Sequence, residues 1–249
     1  MLGSWPVLVH DAMPGGCQLH ATDPSIVAGL FPPQVRVAIA GAPMSEHGLL
    51  PGEANLVSRA VPERRREFAA GRNAARVALR ELGYAPSPIL RSDDRAPAWP
   101  AGAVGSITHC AGFVCAVAAR SARFVSLGVD AEITGRMEPG MDELICSAEE
   151  LSHIATLPEA AGGDWATIVF SAKEATYKCL SPLIDELLDF KDVSLRFFPD
   201  ETRRRGWFAI ADCSAASGLD RFRIKGTWTL ADAMVLCGAH IARANPAEY

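Results

Sequence analysis

A long amphipathic helix followed by strands occurs twice in this 249-residue chain, and this order constrains the fold more than any other feature. The first helix is predicted over 62–82, with Pro62 at its start and Gly83 just past its end. The second helix is predicted over 165–180 and stops before Pro182. About three segments of alternating apolar residues follow each helix and indicate antiparallel strands. The two halves show no clear sequence repeat. The order of helix and strands alone predicts an α+β fold of two similar halves.

The individual elements follow from periodicity and from Pro and Gly positions. Strands are predicted at 5–10, 35–40, 103–109, 113–119, 124–132, 193–198, 207–212, 222–230 and 234–242. The three segments between 103 and 132 are interpreted as neighbouring antiparallel strands joined by short turns. A further helical segment at 141–157 has a second start at Ser147, and an exposed turn is predicted at 202–206. The buried stripe of the first helix is predicted to contain Phe68, Ala75, Ala78, Leu79 and Leu82.

Charge and cysteine content exclude several classes of protein. The net charge of −5 argues against a nucleic-acid-binding protein, because such proteins are more often basic. Seven cysteines, an odd number without a Cys-x-x-Cys pair, predict reduced core thiols and argue against a zinc site. The N-terminus lacks the features of a signal peptide, and no apolar run reaches the ~18–20 residues that a spanning helix needs. These features predict a cytoplasmic protein without a membrane segment.

Two carboxylates share one face of the strand that begins at residue 124. The apolar residues predicted on the opposite face are Val125, Leu127, Val129, Ala131 and Ile133. Asp130 and Glu132 therefore project together, and their repulsion would be relieved by a cation. Oxygen ligands favour a hard ion, Mg²⁺ above all. The alternative, a strand end that faces water, is equally compatible with this segment alone.

The second helix carries a group of charged residues near its end. Glu174 and Lys178 are four residues apart and share a face, with Lys173 and Tyr177 on the neighbouring stripe. This combination suits an anionic substrate and a metal ion. A solvated helix face with one ordinary ion pair is the alternative that this segment leaves open.

Together the two segments resemble a known enzyme family. Gly128-Val-Asp-Ala-Glu132, followed by Phe170-Ser-Ala-Lys-Glu-Ala-Thr-Tyr-Lys178, is similar to the 4′-phosphopantetheinyl transferases of the Sfp/EntD type. Three further matches occur in the same order, at Arg64-Arg-Arg-Glu-Phe-Ala-Ala-Gly-Arg72, Pro97-Ala-Trp-Pro100 and Gly105-Ser-Ile-Thr-His-Cys110. The resemblance covers roughly residues 60 to 180.

The resemblance implies a fold and a reaction. Two similar α+β lobes, here 1–122 and 123–249, would pack as a pseudo-dimer with the active site between them. The enzyme would transfer 4′-phosphopantetheine from coenzyme A to a serine of an apo acyl or peptidyl carrier protein, releasing adenosine 3′,5′-bisphosphate. Asp130, Glu132 and Glu174 would bind Mg²⁺, or Mn²⁺ in vitro. Glu174 would also take the serine proton, directly or through water.

The resemblance also implies which residues bind coenzyme A. The set consists of Arg64, Arg72, Arg91, Ser106, Thr108, His109, Asp130, Lys173, Tyr177 and Lys178. Arg64 and Arg72 would hold the nucleotide end, His109 the 3′-phosphate, and Lys178 with Lys173 the pyrophosphate. Tyr177 would line the pantetheine channel. At 92–95 this chain departs from the glycine-containing turn of its relatives, so the shape of that loop is open.

Partners and rival functions complete the sequence-based interpretation. The family implies carrier proteins of fatty-acid, polyketide or nonribosomal peptide synthesis as partners, and a monomeric enzyme. One alternative is a Mg²⁺-dependent nucleotide phosphohydrolase that uses the same carboxylates. The other is a non-catalytic module that binds coenzyme A or a carrier protein.

Overall fold

The computed structural model describes residues 23–40, 44–92, 96–184, 188–213 and 223–244, which form two antiparallel sheets covered by helices. The first half contains α1 (Pro24–Ala28), β1 (Arg36–Ala40), α2 (Pro62–Glu81), β2 (Ala103–Cys110) and β3 (Phe113–Arg120). The second half contains β4 (Phe124–Ile133), α3 (Met141–Ile145), α4 (Ala148–Ile154), α5 (Trp165–Leu180), β5 (Val193–Pro199), β6 (Arg205–Cys213), β7 (Lys225–Ala231) and β8 (Met234–Ala242). Short 3-10 helices lie at Ala54–Val57, Ser181–Leu183 and Phe190–Asp192. The α+β prediction is confirmed.

The first sheet has the strand order β1–β3–β2 and packs against α2. Its central strand is buried on both faces, because successive side chains alternate between two cores. Ala116 and Ala118 pack beneath α2, whereas Cys115 and Val117 face the opposite core. The predicted stripe of α2 is confirmed, since Phe68, Ala75, Ala78, Leu79 and Leu82 are all buried.

The second sheet has the strand order β4–β8–β7–β6–β5, and α5 packs across β4 and β8. Phe170, Ala175 and Cys179 of α5 are buried in the core beneath it, as predicted. Trp165, at the start of α5, packs edge-on against Trp228 of β7 with ring centres 5.5 Å apart. These contacts fix α5 along the sheet, so that its polar residues near Glu174 lie beside β4.

Strand β4 does not continue the first sheet, which corrects the sequence-based interpretation. The pairing of β2 with β3 is confirmed, but β4 pairs with β8, more than a hundred residues later in the chain. Across the boundary, β2 and β4 meet through side chains, and a core with residues from both sheets lies between the sheets. The lobe boundary between residues 122 and 123 falls in the turn between β3 and β4 and stays a prediction.

The alternation predicted for β4 holds from Leu127 to Ile133 but fails at its start. The register with β8 shifts between Phe124 and Ser126, which indicates a β-bulge. Phe124 therefore joins the core between the sheets, while Val125 packs against the core beneath α5. The prediction that Val125 shares a face with Leu127 is wrong.

Two further segments differ from the sequence-based boundaries. The helical segment at 141–157 forms α3 and α4 separately, and the second start at Ser147 is confirmed. Ser147 Oγ accepts from Glu150 N at 3.2 Å and Glu150 Oε2 accepts from Ser147 N at 2.8 Å, a capping box. Strand β6 begins at Arg205, inside the predicted turn. The strand predicted at 5–10 lies outside the described residues.

The cysteines of the described segments lie mostly in the cores. Those that are buried are Cys110, Cys115, Cys146, Cys179 and Cys237. Cys213 is partly buried, and Cys17 lies outside the described residues.

None of the described helices combines the length and apolar character required to cross a lipid bilayer.

Candidate active site

Strand β4 and helix α5 approach each other most closely at one glycine. A Cβ atom added to Gly128 would lie 1.8 Å from the carbonyl oxygen of Ala175 and 2.9 Å from the backbone nitrogen of Cys179. Any larger residue here would push the strand away from the helix. Because side chains two apart on a strand share a face, Asp130 also points toward α5 and meets Lys178.

Asp130 and Lys178 form a partly buried ion pair between β4 and α5. Lys178 Nζ donates to Asp130 Oδ1 at 2.5 Å and to the carbonyl oxygen of Val129 at 3.3 Å. Thr108 Oγ1, from β2 of the first sheet, donates to the same Oδ1 at 3.2 Å. Asp130 is only 3% exposed, so the alternative of a strand end facing water is excluded. Asp130 Oδ2 has no hydrogen-bond partner within the described part of the chain, which is costly unless a ligand supplies one.

Glu132 and Glu174 add two more carboxyl groups around this ion pair. Burial raises the pKa of Glu132 to about 8, and the charge of Asp130 raises it as well. Burial also raises the pKa of Glu174 to about 7, with Lys178 acting in the opposite direction. Burial would lower the pKa of Lys178, but the nearby Asp130 and Glu174 raise it overall. Three carboxyl groups thus lie near one ammonium group. If all three are ionised, their negative charge exceeds the single positive charge of Lys178.

This group of carboxylates fits a hard cation in chemistry. No three His, Cys, Asp or Glu side chains of the described residues converge as closely as a formed metal site requires. The donors are nevertheless all carboxylate oxygens, their pKa values are raised by burial and mutual repulsion, and Asp130 Oδ2 lacks a partner. Mg²⁺ and Mn²⁺ prefer such ligands. Asp130, Glu132 and Glu174 are the residues that would hold the ion.

The arginines predicted to bind an anion lie within electrostatic reach of one another. Burial lowers the pKa of Arg72 to about 10, and Glu53 acts in the opposite direction. The charges of Arg91, Arg76 and Arg64 lower it further. Several positive charges close to one another favour a bound anion that would offset their repulsion.

His109 and Arg64 meet between the end of β2 and the start of α2. Arg64 Nη1 contacts His109 Nε2 and lies 3.3 Å from Glu67 Oε2. His109 Nδ1 lies 3.5 Å from the same Glu67 oxygen. An arginine and a histidine held together by one carboxylate are suited to a phosphate group. The structure therefore brings together Arg64, Arg72, Arg91 and His109 on one side of the first sheet.

Ser106 and Thr108 occupy the junction of the two sheets. Both are buried, and Ser106 Oγ accepts from the backbone nitrogen of Val129 at 3.1 Å. Thr108 donates to Asp130, as described above. These contacts hold β2 against β4, so the structure gives both hydroxyl groups a part in aligning the carboxylates. Their predicted contact with coenzyme A stays a prediction.

Lys173 is not brought to the carboxylates. Its ammonium group is buried and donates at 2.7 Å to each of three acceptors, Glu150 Oε2 and the carbonyl oxygens of Ile145 and Phe190. These three bonds use all of its protons, which leaves none for a phosphate. Tyr177 turns the same way and lines a small cavity with Leu188 and Phe190. This placement does not support the prediction that Lys173 assists Lys178 at the pyrophosphate. The contact of Tyr177 with pantetheine stays a prediction.

Three buried or partly buried glutamates were missed from the sequence. Glu67 lies one helical turn from Arg64, a spacing that could have indicated its contact. Glu150 follows the cap residue Ser147 by three positions, and this spacing predicts the capping box. It does not predict the bond that Glu150 accepts from Lys173. Glu53 carries no signal of its buried contacts, because Arg76 and Ile89 lie 23 and 36 residues away and its one near partner is the backbone nitrogen of Leu50.

Sequence comparisons with known proteins match both halves of the chain. A family model described as the 4′-phosphopantetheinyl transferase N-terminal domain matches residues 52–119, and one described as the 4′-phosphopantetheinyl transferase superfamily matches residues 126–227. The chain is 41% identical to 4′-phosphopantetheinyl transferase PptT of Mycobacterium tuberculosis over 191 residues, which cover 75% of this chain and 83% of that protein. It is 39% identical to Svp of Streptomyces mobaraensis, covering 78% and 79%, and 34% identical to Npt of Nocardia iowensis, covering 75% and 86%. All the candidate residues lie inside the two matched ranges.

Proposed function

Because the chain belongs to the 4′-phosphopantetheinyl transferase superfamily, we propose that Asp130, Glu132, Glu174 and Lys178 form its active site. The reaction moves 4′-phosphopantetheine from coenzyme A to a serine of an apo acyl or peptidyl carrier protein and releases adenosine 3′,5′-bisphosphate. The observation that carries the assignment is the partly buried contact between Lys178 and Asp130, with two further carboxyl groups beside it at the junction of the two sheets.

Asp130, Glu132 and Glu174 are proposed to hold a Mg²⁺ ion, for which Mn²⁺ would substitute in vitro. The ion, when bound, would neutralise charge that develops on the pyrophosphate of coenzyme A. The support is the partnerless Oδ2 of Asp130 and the raised pKa of both glutamates, since each indicates a lack of positive charge.

Lys178 and Glu174 are proposed to act on the reacting groups. Lys178 orients Asp130 through Oδ1 and places one positive charge where the leaving group becomes more negative. Glu174 is proposed to accept the serine proton, directly or through a water molecule. Burial raises the pKa of Glu174 to about 7 without the metal and a bound cation would lower it, so this role falls to an oxygen that the ion leaves free or to a water molecule that Glu174 orients.

Arg64, Arg72, Arg91 and His109 are proposed to hold the nucleotide end of coenzyme A. Arginine binds phosphate with a planar pair of donors, and His109 next to Arg64 supplies a further contact for a terminal phosphate. Thr108 connects the two parts of the site, since it contacts Asp130 while the adjacent His109 contacts Arg64.

The cellular setting is proposed on chemical grounds. The buried reduced cysteines suit the cytoplasm. Because one chain supplies both sheets of the site, no second copy is needed, so we expect a monomer. Carrier proteins of fatty-acid, polyketide or nonribosomal peptide synthesis are the proposed partners.

The test is intact-mass analysis of an apo carrier protein after incubation with the enzyme, coenzyme A and Mg²⁺. We expect the carrier to gain one phosphopantetheine with the wild type, and none with Glu174→Gln or after chelation of the metal. Glu159→Gln, at an exposed position, is the control and should transfer normally. Cleavage of coenzyme A without a change in carrier mass would favour a phosphohydrolase. Binding of coenzyme A without turnover would favour a non-catalytic module.

A further inference from the structure

We propose that Glu53 is a positioning residue for the anion site and acts on Arg72 through Ile89. Glu53 precedes the first 3-10 helix, between β1 and α2, and its side chain is completely buried. The inference rests on the proposed function, because it concerns how the nucleotide end of coenzyme A is held.

Both carboxylate oxygens of Glu53 are bound by groups from three separate segments. Oε1 accepts from Arg76 Nη1 at 2.6 Å and from the backbone nitrogen of Ile89 at 2.8 Å. Oε2 accepts from the backbone nitrogen of Leu50 at 2.7 Å. The carboxylate therefore ties the segment before α2, helix α2 itself and the segment after α2 to one point.

Ile89 connects this carboxylate to Arg72. The backbone nitrogen of Ile89 donates to Glu53, and its carbonyl oxygen accepts from Arg72 Nε at 2.7 Å. The guanidinium group of Arg72 also lies over the ring of Phe68, 4.5 Å from its centre. With Nε bound to Ile89, Arg72 would meet an anion through its two terminal nitrogens.

Glu53 also compensates the charge of Arg72 without pairing with it directly. Burial lowers the pKa of Arg72, and Glu53 is the group that opposes this effect. The ion pair of Glu53 is made with Arg76 instead, whose Nη2 is held by Asn73 Oδ1 at 2.6 Å and by the carbonyl oxygen of Gly48 at 2.5 Å. Arg76 thus occupies the carboxylate, so that Glu53 does not form an ion pair with the terminal nitrogens of Arg72.

The second consequence concerns Arg91, which follows Ile89 by two residues. Arg91 is exposed, and its backbone forms a bridge with Pro97, while the backbone nitrogen of Ala98 donates to the carbonyl oxygen of Leu90 at 2.9 Å. Anchoring Ile89 therefore fixes the start of the segment that presents Arg91 beside Arg72. Loss of Glu53 should weaken the binding of an anion that both arginines contact.

The experiment measures binding and turnover of Glu53→Gln, which keeps the size of the side chain and removes its charge. We expect the Kd for adenosine 3′,5′-bisphosphate and the KM for coenzyme A to rise about tenfold while kcat changes less than about twofold. Glu81→Gln is the control, since it removes the same charge from an exposed position at the end of α2 and should leave all three constants unchanged. A loss of kcat as large as the rise in KM would overturn the positioning role.

A double-mutant cycle tests the route through Arg72. If Glu53 acts mainly through Arg72, the rises in Kd for adenosine 3′,5′-bisphosphate caused by Glu53→Gln and Arg72→Ala should be clearly less than additive in the double variant, with only the smaller share through Arg91 remaining. Effects of the two changes that simply add would contradict the proposal. Arg76→Gln removes the ion-pair partner of Glu53 from the other side and should reproduce the rise in Kd if Glu53→Gln does not fold. A wild type that binds neither nucleotide would overturn the proposed function and this inference with it, whereas normal binding by Glu53→Gln would overturn the inference alone.

Discussion

Two lysine–carboxylate pairs lie on the same helix, α5, and they differ in how completely they are satisfied. At Lys173, three protons meet three acceptors, and both oxygens of Glu150 are occupied as well, by Lys173, Ser147 N and Leu195 N. At Lys178, Asp130 keeps one oxygen without a partner, and two more carboxyl groups stand beside it. Asp130 and Glu150 are both buried, but the Lys178 side chain is 28% exposed and that of Lys173 only 3%, so the unsatisfied pair is also the one that a ligand can reach.

The difference indicates separate roles for the two pairs. The saturated pair joins α5 to α3, α4 and the segment before β5, and it has no donor or acceptor left for a ligand. The unsaturated pair has acceptors in excess, which is the condition for binding a cation and a phosphorylated substrate. Incomplete satisfaction of hydrogen bonds is therefore what marks the functional pair in this protein.

The largest expected effect lies at the unsaturated pair. Lys178→Met should lower kcat/KM by about a thousandfold, because it removes the positive charge that faces the leaving group. The free energy of unfolding should fall less than in Lys173→Met, since the Lys178 side chain is 28% exposed and water can partly replace it beside Asp130. The measurement is the transfer rate to a carrier protein together with chemical denaturation. A variant that unfolds readily but transfers normally would reverse the roles assigned to the two pairs.

The saturated pair should show the opposite pattern. Lys173→Met leaves Glu150 buried without its countercharge, so the free energy of unfolding should fall by about 3–5 kcal/mol. The double variant Lys173→Met with Glu150→Leu should recover part of this loss, because it removes the unpaired charge. Both can be followed by urea denaturation. If the folded Lys173→Met protein loses transfer activity in proportion to Lys178→Met, then Lys173 also serves the reaction.

Gly128 lies beside the Asp130–Lys178 pair, so a substitution there tests how closely that pair depends on the contact between β4 and α5. Gly128→Ala should lower the free energy of unfolding by about 1–3 kcal/mol, because the new methyl group meets the backbone of Ala175. It should also lower kcat, since β4 must move away from α5 and with it Asp130 from Lys178. Gly29→Ala, where the nearest atom to an added Cβ lies at 3.3 Å, is the matched control. Unchanged activity in Gly128→Ala would mean that the ion pair tolerates displacement.

The smallest effect is a dependence of stability on pH in the metal-free protein. Folding raises the pKa of Glu132 to about 8 and of Glu174 to about 7, both above the usual value of 4.5 for a glutamate. The folded state thus binds more protons than the unfolded state in this window, and stability should fall as pH rises from 4.5 towards 8. His240, whose pKa burial lowers to about 4, works in the opposite direction below its usual value of 6.5. The decline should therefore be clearest between pH 6.5 and 8.

Thermal denaturation across that range measures the effect. Excess Mg²⁺ should flatten the decline, because a bound cation removes the repulsion that favours protonation. Glu132→Gln should flatten it without metal. A decline that persists unchanged in Glu132→Gln would place its origin outside this group.

Local spacing predicted much of this arrangement. The strand period placed Asp130 and Glu132 together, and the helix period placed Glu174 and Lys178 together, because both depend on neighbours two or four residues away. The period could not tell Lys173 from Lys178, since the acceptors of Lys173 come from Ile145, Glu150 and Phe190.

Long-range pairing was equally beyond local signals. The pairing of β4 with β8 and the bulge at its start were missed because each depends on a distant strand. Glu53 was missed for the same reason.

The side-chain junction between the two sheets has a practical consequence. The chain crosses from the first sheet to the second through the short turn at 121–123, and the remaining contact between β2 and β4 is an apolar core plus bonds from Ser106 and Thr108. A chain cut in that turn would give two fragments, one with the arginines and one with the carboxylates. Neither fragment alone would hold a complete site, so enzyme activity would report on their reassociation. The protein would then serve as a split reporter in which each fragment binds a different end of the same substrate.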